Sequence, residues 1–200
     1  KGISNLVRLE VRNAGSDGEN AVTIRDLIRS ALRMRPDRII VGEIRGAEAV
    51  DMLSAMNTGH NGSLSTGHGN SAADMISRME TMVLMGSGIP LEAIRQQIAS
   101  SLDIVIHLGR LRDKSRKVLE VSEISGYENG EIIYNPLFRF EEAPVIREKG
   151  AYGSVARSGG GRGRLKADTS RVMGRLNPTG NRLRHVQKLY AAGFYEEQEE

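Results

Sequence analysis

Between two stretches of helical periodicity the chain carries Ile39-Ile40-Val41, followed at once by Gly42-Glu43. An apolar run without alternation, too short for a helix, is the mark of a strand buried on both faces, and such strands belong to parallel sheets covered by helices. The flanking residues agree. Thr23, with Asp26 three residues on, opens a predicted helix that buries Ile24, Leu27, Ile28, Ala31 and Leu32, shares its other face among Arg25, Arg29 and Arg33, and ends at Pro36. A second helical pattern spans Ala47 to Asn57 and a second short strand Gly62 to Thr66. Helices then start at Ser71, with Asp74 as cap partner, and at Pro90, with Leu91, Ile94 and Ile98 inward. Alternation of strand and helix predicts an α/β domain with a parallel sheet.

From Leu102 the pattern changes to strands: Ile104 to Ile106, Val118 to Ile124, an Asn129-Gly130 hairpin turn, and Ile132 to Phe140. The expected organisation is an α/β core over 1–110, an antiparallel β appendage over 111–143, a flexible Gly/Arg-rich linker over 144–175 with Gly159-Gly160-Gly161 at its centre, and a C-terminal helix within 176–200, at 181–193. Residues 3–12 read as extended. Residues 1–150 carry 19 Lys/Arg against 20 Asp/Glu and residues 151–200 carry 9 against 5, so the basic excess sits in the tail. With no Cys, disulfides, thiolate nucleophiles and iron-sulfur clusters drop out together. No apolar run is long enough for a membrane span, and the first residues do not form a signal peptide.

A carboxylate ending a buried strand stands at the carboxyl edge of the sheet, where open α/β folds bind ligands. There Glu43 can hold magnesium through water or orient an attacking water, or it can simply pair with Arg45 at the surface. Fifteen or so residues on comes Thr58-Gly59-His60-Asn61-Gly62-Ser63-Leu64-Ser65-Thr66-Gly67-His68-Gly69-Asn70-Ser71. Its two His are separated by a predicted strand, an arrangement that poorly supports a shared metal, whereas imidazole and hydroxyl groups suit a phosphate. His68 also precedes a helix N-terminus, which favours an anion.

Together these segments resemble the ATPases of the type II/type IV secretion superfamily, and most closely the branch that assembles Tad (Flp) pili. Gly42-Glu43-Ile44-Arg45 matches the end of that family's Walker B element, and Thr58-Gly59-His60 through His68-Gly69-Asn70-Ser71 matches its His box. The similarity extends from about Leu6 through Val121 and includes Ala31-Leu32-Arg33-Met34-Arg35-Pro36-Asp37 and Arg78-Met79-Glu80-Thr81-Met82. Gly174 to Gly193 resembles the C-terminal end of Tad-type ATPases. One departure is the Gly67-His68-Gly69 tripeptide, where the family has bulkier residues, and a looser loop is expected from it.

The resemblance implies the C-terminal part of a RecA-like P-loop NTPase that hydrolyses ATP with Mg2+, as a homo-hexameric ring at the cytoplasmic face of the inner membrane, beside a membrane platform protein. It implies Glu43 as the residue acting on magnesium or the catalytic water, His68 on the γ-phosphate, His60 in support, and Arg45 steadying the Glu43 loop. Arg8, Arg12, Arg25 and Arg33 are the candidates for reaching a neighbour's nucleotide. No Gly-x-x-x-x-Gly-Lys-[Ser/Thr] loop is present in the sequence, so half an active site is expected here and no hydrolysis by this chain alone. The competing class is a module binding nucleic acid or an anionic surface through the basic tail, with nucleic acid the less favoured partner.

Overall fold

The computed structural model describes residues 5–16, 20–143 and 171–194. Helix α1 (Ile24–Arg33), strand β1 (Ile40–Val41), helix α2 (Ala49–Asn57), strand β2 (Leu64–Ser65) and helices α3 (Ala72–Gly86) and α4 (Leu91–Ser101) come first. Strands β3 (Ile104–Arg110), β4 (Arg116–Glu128), β5 (Glu131–Glu142) and β6 (Gly174–Pro178) and a short helix α5 (Gln187–Ala191) follow. The Thr23 hydroxyl accepts the Asp26 N–H at 3.2 Å while the Asp26 carboxylate accepts the Thr23 N–H at 2.9 Å, closing the expected capping box of α1. Ser71 caps α3 through the Asp74 N–H.

Strands β1 and β2 pair in parallel, Ile40 opposite Leu64 and Val41 opposite Ser65. Each is shorter than the sequence pattern suggests, because the backbone leaves the ladder at Gly42 and at Thr66 to shape the loops beyond. Val41 points into the core, whereas Ile40 and Leu64 share the other face and remain 68% and 59% exposed.

The second sheet is antiparallel, in the order β3-β4-β5-β6. It is no appendage: Ile124 of β4 and Ile132 of β5 are buried in the same core as Met52, Leu53, Ile76, Ile94 and Ile98. Burying two such side chains contributes on the order of 1.5–3 kcal/mol each, enough to bind the hairpin to α4. Strand β3, expected within the α/β core, pairs along its length with β4. At the hairpin tip Asn129 and Gly130 take φ of 51° and 88°, the left-handed pair of a type I′ turn.

The C-terminal region departs most from expectation. The helix expected at 181–193 is confined to Gln187–Ala191, and Gly174–Pro178 pairs with β5 as an edge strand. Gly174 lies so close to β5 that a Cβ there would come within 2.4 Å of the Glu141 carbonyl oxygen. Beyond β6, the Glu123 carboxylate, 1% exposed, accepts the backbone N–H groups of Arg184 and His185 at 3.0 and 2.7 Å. Asn135 donates its amide both to Glu123 at 2.7 Å and to the Arg182 carbonyl at 2.9 Å. Lys188 reaches Asp103 at 2.7 Å. The described part of the basic tail is therefore seated on the sheet. Residues 144–170 of the expected linker lie outside the described residues, and its last two residues, Gly174 and Arg175, open β6. Of the expected extended stretch, the described residues show only the bridge Arg12 to Val22, since no strand lies beside them.

Candidate functional site at the strand ends

Parallel pairing of β1 and β2 brings the residues after their carboxyl ends side by side. The loops are joined by backbone bonds: the Ile44 N–H donates to the Thr66 carbonyl at 3.0 Å, and the Thr66 hydroxyl donates to the Gly42 carbonyl at 2.6 Å. As a result Glu43 Oε1 lies 2.6 Å from His68 Nε2. On its other oxygen, Oε2, Glu43 receives Arg45 Nη2 at 2.5 Å and Nε at 2.7 Å. The His68 approach is close but poorly aligned for a hydrogen bond, and Oε1 is a buried oxygen with no well-formed hydrogen bond.

The Arg45 hydrogen bond holds the Glu43 carboxyl below the usual carboxylate range, against burial, which pushes it up; the charges of Arg45 and His68 add to the lowering. Glu43 is 22% exposed, Arg45 76% and His68 79%. The carboxylate is thus recessed behind two cation-capable groups that face solvent, an arrangement suited to meeting an anion.

Two glycines flank His68, and both pack closely against Met75. A Cβ on Gly69 would lie 2.8 Å from the Met75 backbone nitrogen, and one on Gly67 would overlap the end of the Met75 side chain. The loop sits flush on the first turn of α3, fastened by the Asn70 N–H to the Asp74 carboxylate at 2.7 Å. Beside it runs a groove of about 710 Å3, bounded by β2, α3 and β3 and lined by His60, His68, Met75, Met79 and Ile106 among others.

The structure brings Glu43, Arg45 and His68 together, and it places His60 at the opposite end of β2. There the His60 ring contacts the Ala55 carbonyl at 3.1 Å, near the end of α2, and its own carbonyl accepts the Ser63 hydroxyl at 2.7 Å. Among the described residues no group of three or more His, Asp and Glu is placed to hold a metal. Arg25 is committed to Asp51 at 2.5 Å, an acid it shares with Arg29 at 3.0 Å. Arg12 donates to the Asn20 carbonyl at 2.7 Å. Arg8 and Arg33 stand exposed.

Glu48 is the site residue that the sequence pattern did not reveal. Its Oε1 accepts the N–H of Arg45 at 2.6 Å and of Gly46 at 3.1 Å, bracing the loop that carries Glu43. Its signal was an acid at the start of a helix, the position where unpaired N–H groups gather.

A carboxylate and an imidazole thus meet at the carboxyl edge of two adjacent parallel strands, the edge at which open α/β sheets bind ligands. The chain belongs to the type II/IV secretion system protein family, whose profile matches residues 4–166. It is 44% identical over 117 residues to a protein of Mycobacterium tuberculosis (strain ATCC 25618 / H37Rv) provisionally described as a conjugal transfer protein, covering 58% of this chain and 33% of that one. It is 38% identical over 108 residues to the type IV secretion system protein VirB11 of Brucella suis biovar 1, covering 52% and 30%. The crystal structure of the VirB11 ATPase from the Brucella suis type IV secretion system in complex with sulphate superposes with a TM-score of 0.49 at 36% identity, covering 51% of this chain and 32% of that one. The chain spans about a third of the length of the curated relatives it matches. No helix among the described residues is long and apolar enough to cross a membrane.

Proposed function

We propose that this chain is the part of a secretion-machine ATPase that carries its water- and metal-handling carboxylate and its phosphate-sensing imidazole, in the branch that assembles Tad pili. The observation that carries the reading is the contact of Glu43 Oε1 with His68 Nε2 at 2.6 Å, made across two strand ends. Glu43 fits magnesium: a buried carboxylate oxygen with no well-formed hydrogen bond is a hard donor with capacity to spare, and magnesium is commonly held through one or two carboxylates and its own waters. Bound with ATP, the ion would neutralise charge on the phosphates. Glu43 would hold it or orient the attacking water, Arg45 would fix the Glu43 carboxylate, and His68 would donate to the γ-phosphate.

The phosphate-binding loop would come from the part of the relatives that this chain does not span. The whole protein would act as a homo-hexamer at the cytoplasmic face of the inner membrane, against a platform protein. Arg8 and Arg33, exposed and without a hydrogen bond or ion pair among the described residues, are the better candidates for reaching a neighbour's nucleotide. The Tad branch is supported by Gly174 to Gly193, which resembles the C-terminal end of Tad-type ATPases.

The test is Glu43→Gln in the full-length protein. ATP binding should persist while turnover falls by at least about a hundredfold, as for loss of a general base. An unchanged rate would reduce Glu43 to the ion-pair partner of Arg45.

A further inference from the structure

Glu43 is held by two groups that are tethered differently. Arg45 is fixed through its backbone: its N–H and that of Gly46 are bound by Glu48 at 2.6 and 3.1 Å, and the neighbouring Ile44 N–H is bound by Thr66 at 3.0 Å. The segment from Gly42 to Gly46 is thereby pinned to α2 on one side and to β2 on the other. Arg45 then places two nitrogens on a single oxygen of Glu43. His68 is different. Its ring is 79% exposed, and its contact with Oε1, close but misaligned, is the one polar contact it makes among the described residues.

We propose that His68 is an exchangeable partner of Glu43: it rests on Oε1 when no anion is present, and a terminal phosphate group draws it away, leaving Oε1 open while Arg45 stays in place. The inference rests on the phosphate-sensing role given to His68 above and adds a competition that this role does not require. With the His68 ring exposed and its approach to Oε1 poorly aligned, the contact is weak, whereas a phosphate offers three acceptor oxygens and greater charge than a carboxylate. The His68 loop itself need not move, since Gly69 seats it on α3 and rotation of the side chain suffices. Glu43 would thus be masked until the group it acts on has arrived, and each ATP would have to outbid Glu43 for His68.

The competition is measurable without turnover. In the full-length protein, equilibrium affinities for ADP and for a non-hydrolysable ATP analogue give a preference ratio for the terminal phosphate. Glu43→Gln and Glu43→Ala should each raise that ratio by about two- to fivefold, the scale of a weak pair with one exposed partner, because His68 no longer has a competing acid. In a His68→Ala background the same substitutions should raise the ratio by clearly less, and a rise equal to that in the parent would overturn the exchange. That control removes the general effect of deleting a negative charge near phosphates. If His68→Ala alone lowers the ratio while the Glu43 variants do not raise it, the exchange is overturned and phosphate sensing stands. If His68→Ala alone has no effect on the ratio, the sensing role fails and the exchange with it.

Discussion

Gly69 lies against the backbone of Met75 so closely that a methyl group has nowhere to go: an added Cβ would meet Met75 N at 2.8 Å and Met75 Cα at 2.9 Å. Main chain at the start of a capped helix cannot yield as a flexible side chain can. Gly69→Ala should therefore lift the His68 loop off α3, cost about 1–3 kcal/mol in stability, and weaken the preference for ATP over ADP in the full-length protein. Thermal unfolding and nucleotide competition check the two effects. Gly67→Ala should be milder, because it meets the movable end of the Met75 side chain.

His60 should behave as a structural residue. Its ring is tied to the Ala55 carbonyl and it sits at the far end of β2 from Glu43. His60→Ala is expected to lower stability by about 1 kcal/mol, the value of one hydrogen bond, and to leave the ATP/ADP ratio within error of the parent. A loss of discrimination matching that of His68→Ala would place His60 in the nucleotide site after all.

Arg25 and Arg29 converge on Asp51, joining α1 to α2. Arg25→Ala should lower the melting temperature, with a cost of about 1–2 kcal/mol for a charge-assisted bond to a largely buried acid. It should not act on a neighbouring subunit's nucleotide. Mixing Arg25→Ala subunits with Glu43→Gln subunits checks this: no restoration or poisoning of turnover beyond simple dilution is expected.

The C-terminal segment should detach at low pH. Asp113 is held down to about 2 by the Ser115 hydroxyl and by the Val172 N–H, which it accepts at 2.8 Å. Burial pushes Glu123 up, yet the Asn135 amide and the N–H groups of His185 and Arg184 more than offset it and leave it lowered. A carboxylate with a depressed folded pKa stabilises fully above its unfolded value, about 4, and loses that contribution as the pH falls through its folded value. Hydrogen exchange of residues 171–186 should therefore show protection that is constant at neutral pH and drops in acid. In Asp113→Asn the amide of Val172 should already exchange faster at neutral pH.

Much of the α/β half is readable from local signals. The Thr23 and Ser71 caps and, in the antiparallel sheet, the Asn129-Gly130 turn each follow from a few neighbouring residues and form, whereas of Ile39-Ile40-Val41 only Ile40–Val41 is strand, with Ile40 facing outward where the apolar run predicts burial on both faces. The contact of Glu43 with His68 needed one long-range fact, that their two strands are adjacent and parallel. Glu123 could not be read in this way. A lone acid in an alternating strand reads as solvent-facing, and only the return of Arg184 and His185 to its side explains its burial. The β6 strand was hidden for the same reason, since Gly174–Pro178 has little strand character until β5 offers it an edge.

The register pair Ile40 and Leu64 also bears on how this polypeptide behaves in a tube. Two neighbouring strands present a greasy, flat face to water, and among the described residues their ladder has no third strand. Open strand edges beside apolar side chains recruit whatever extended backbone is at hand. At high concentration the isolated 200-residue chain should gather into soluble clusters or precipitate, and Leu64→Lys should keep it dispersed. Light scattering of the two forms would report on how far this uncovered face drives self-association.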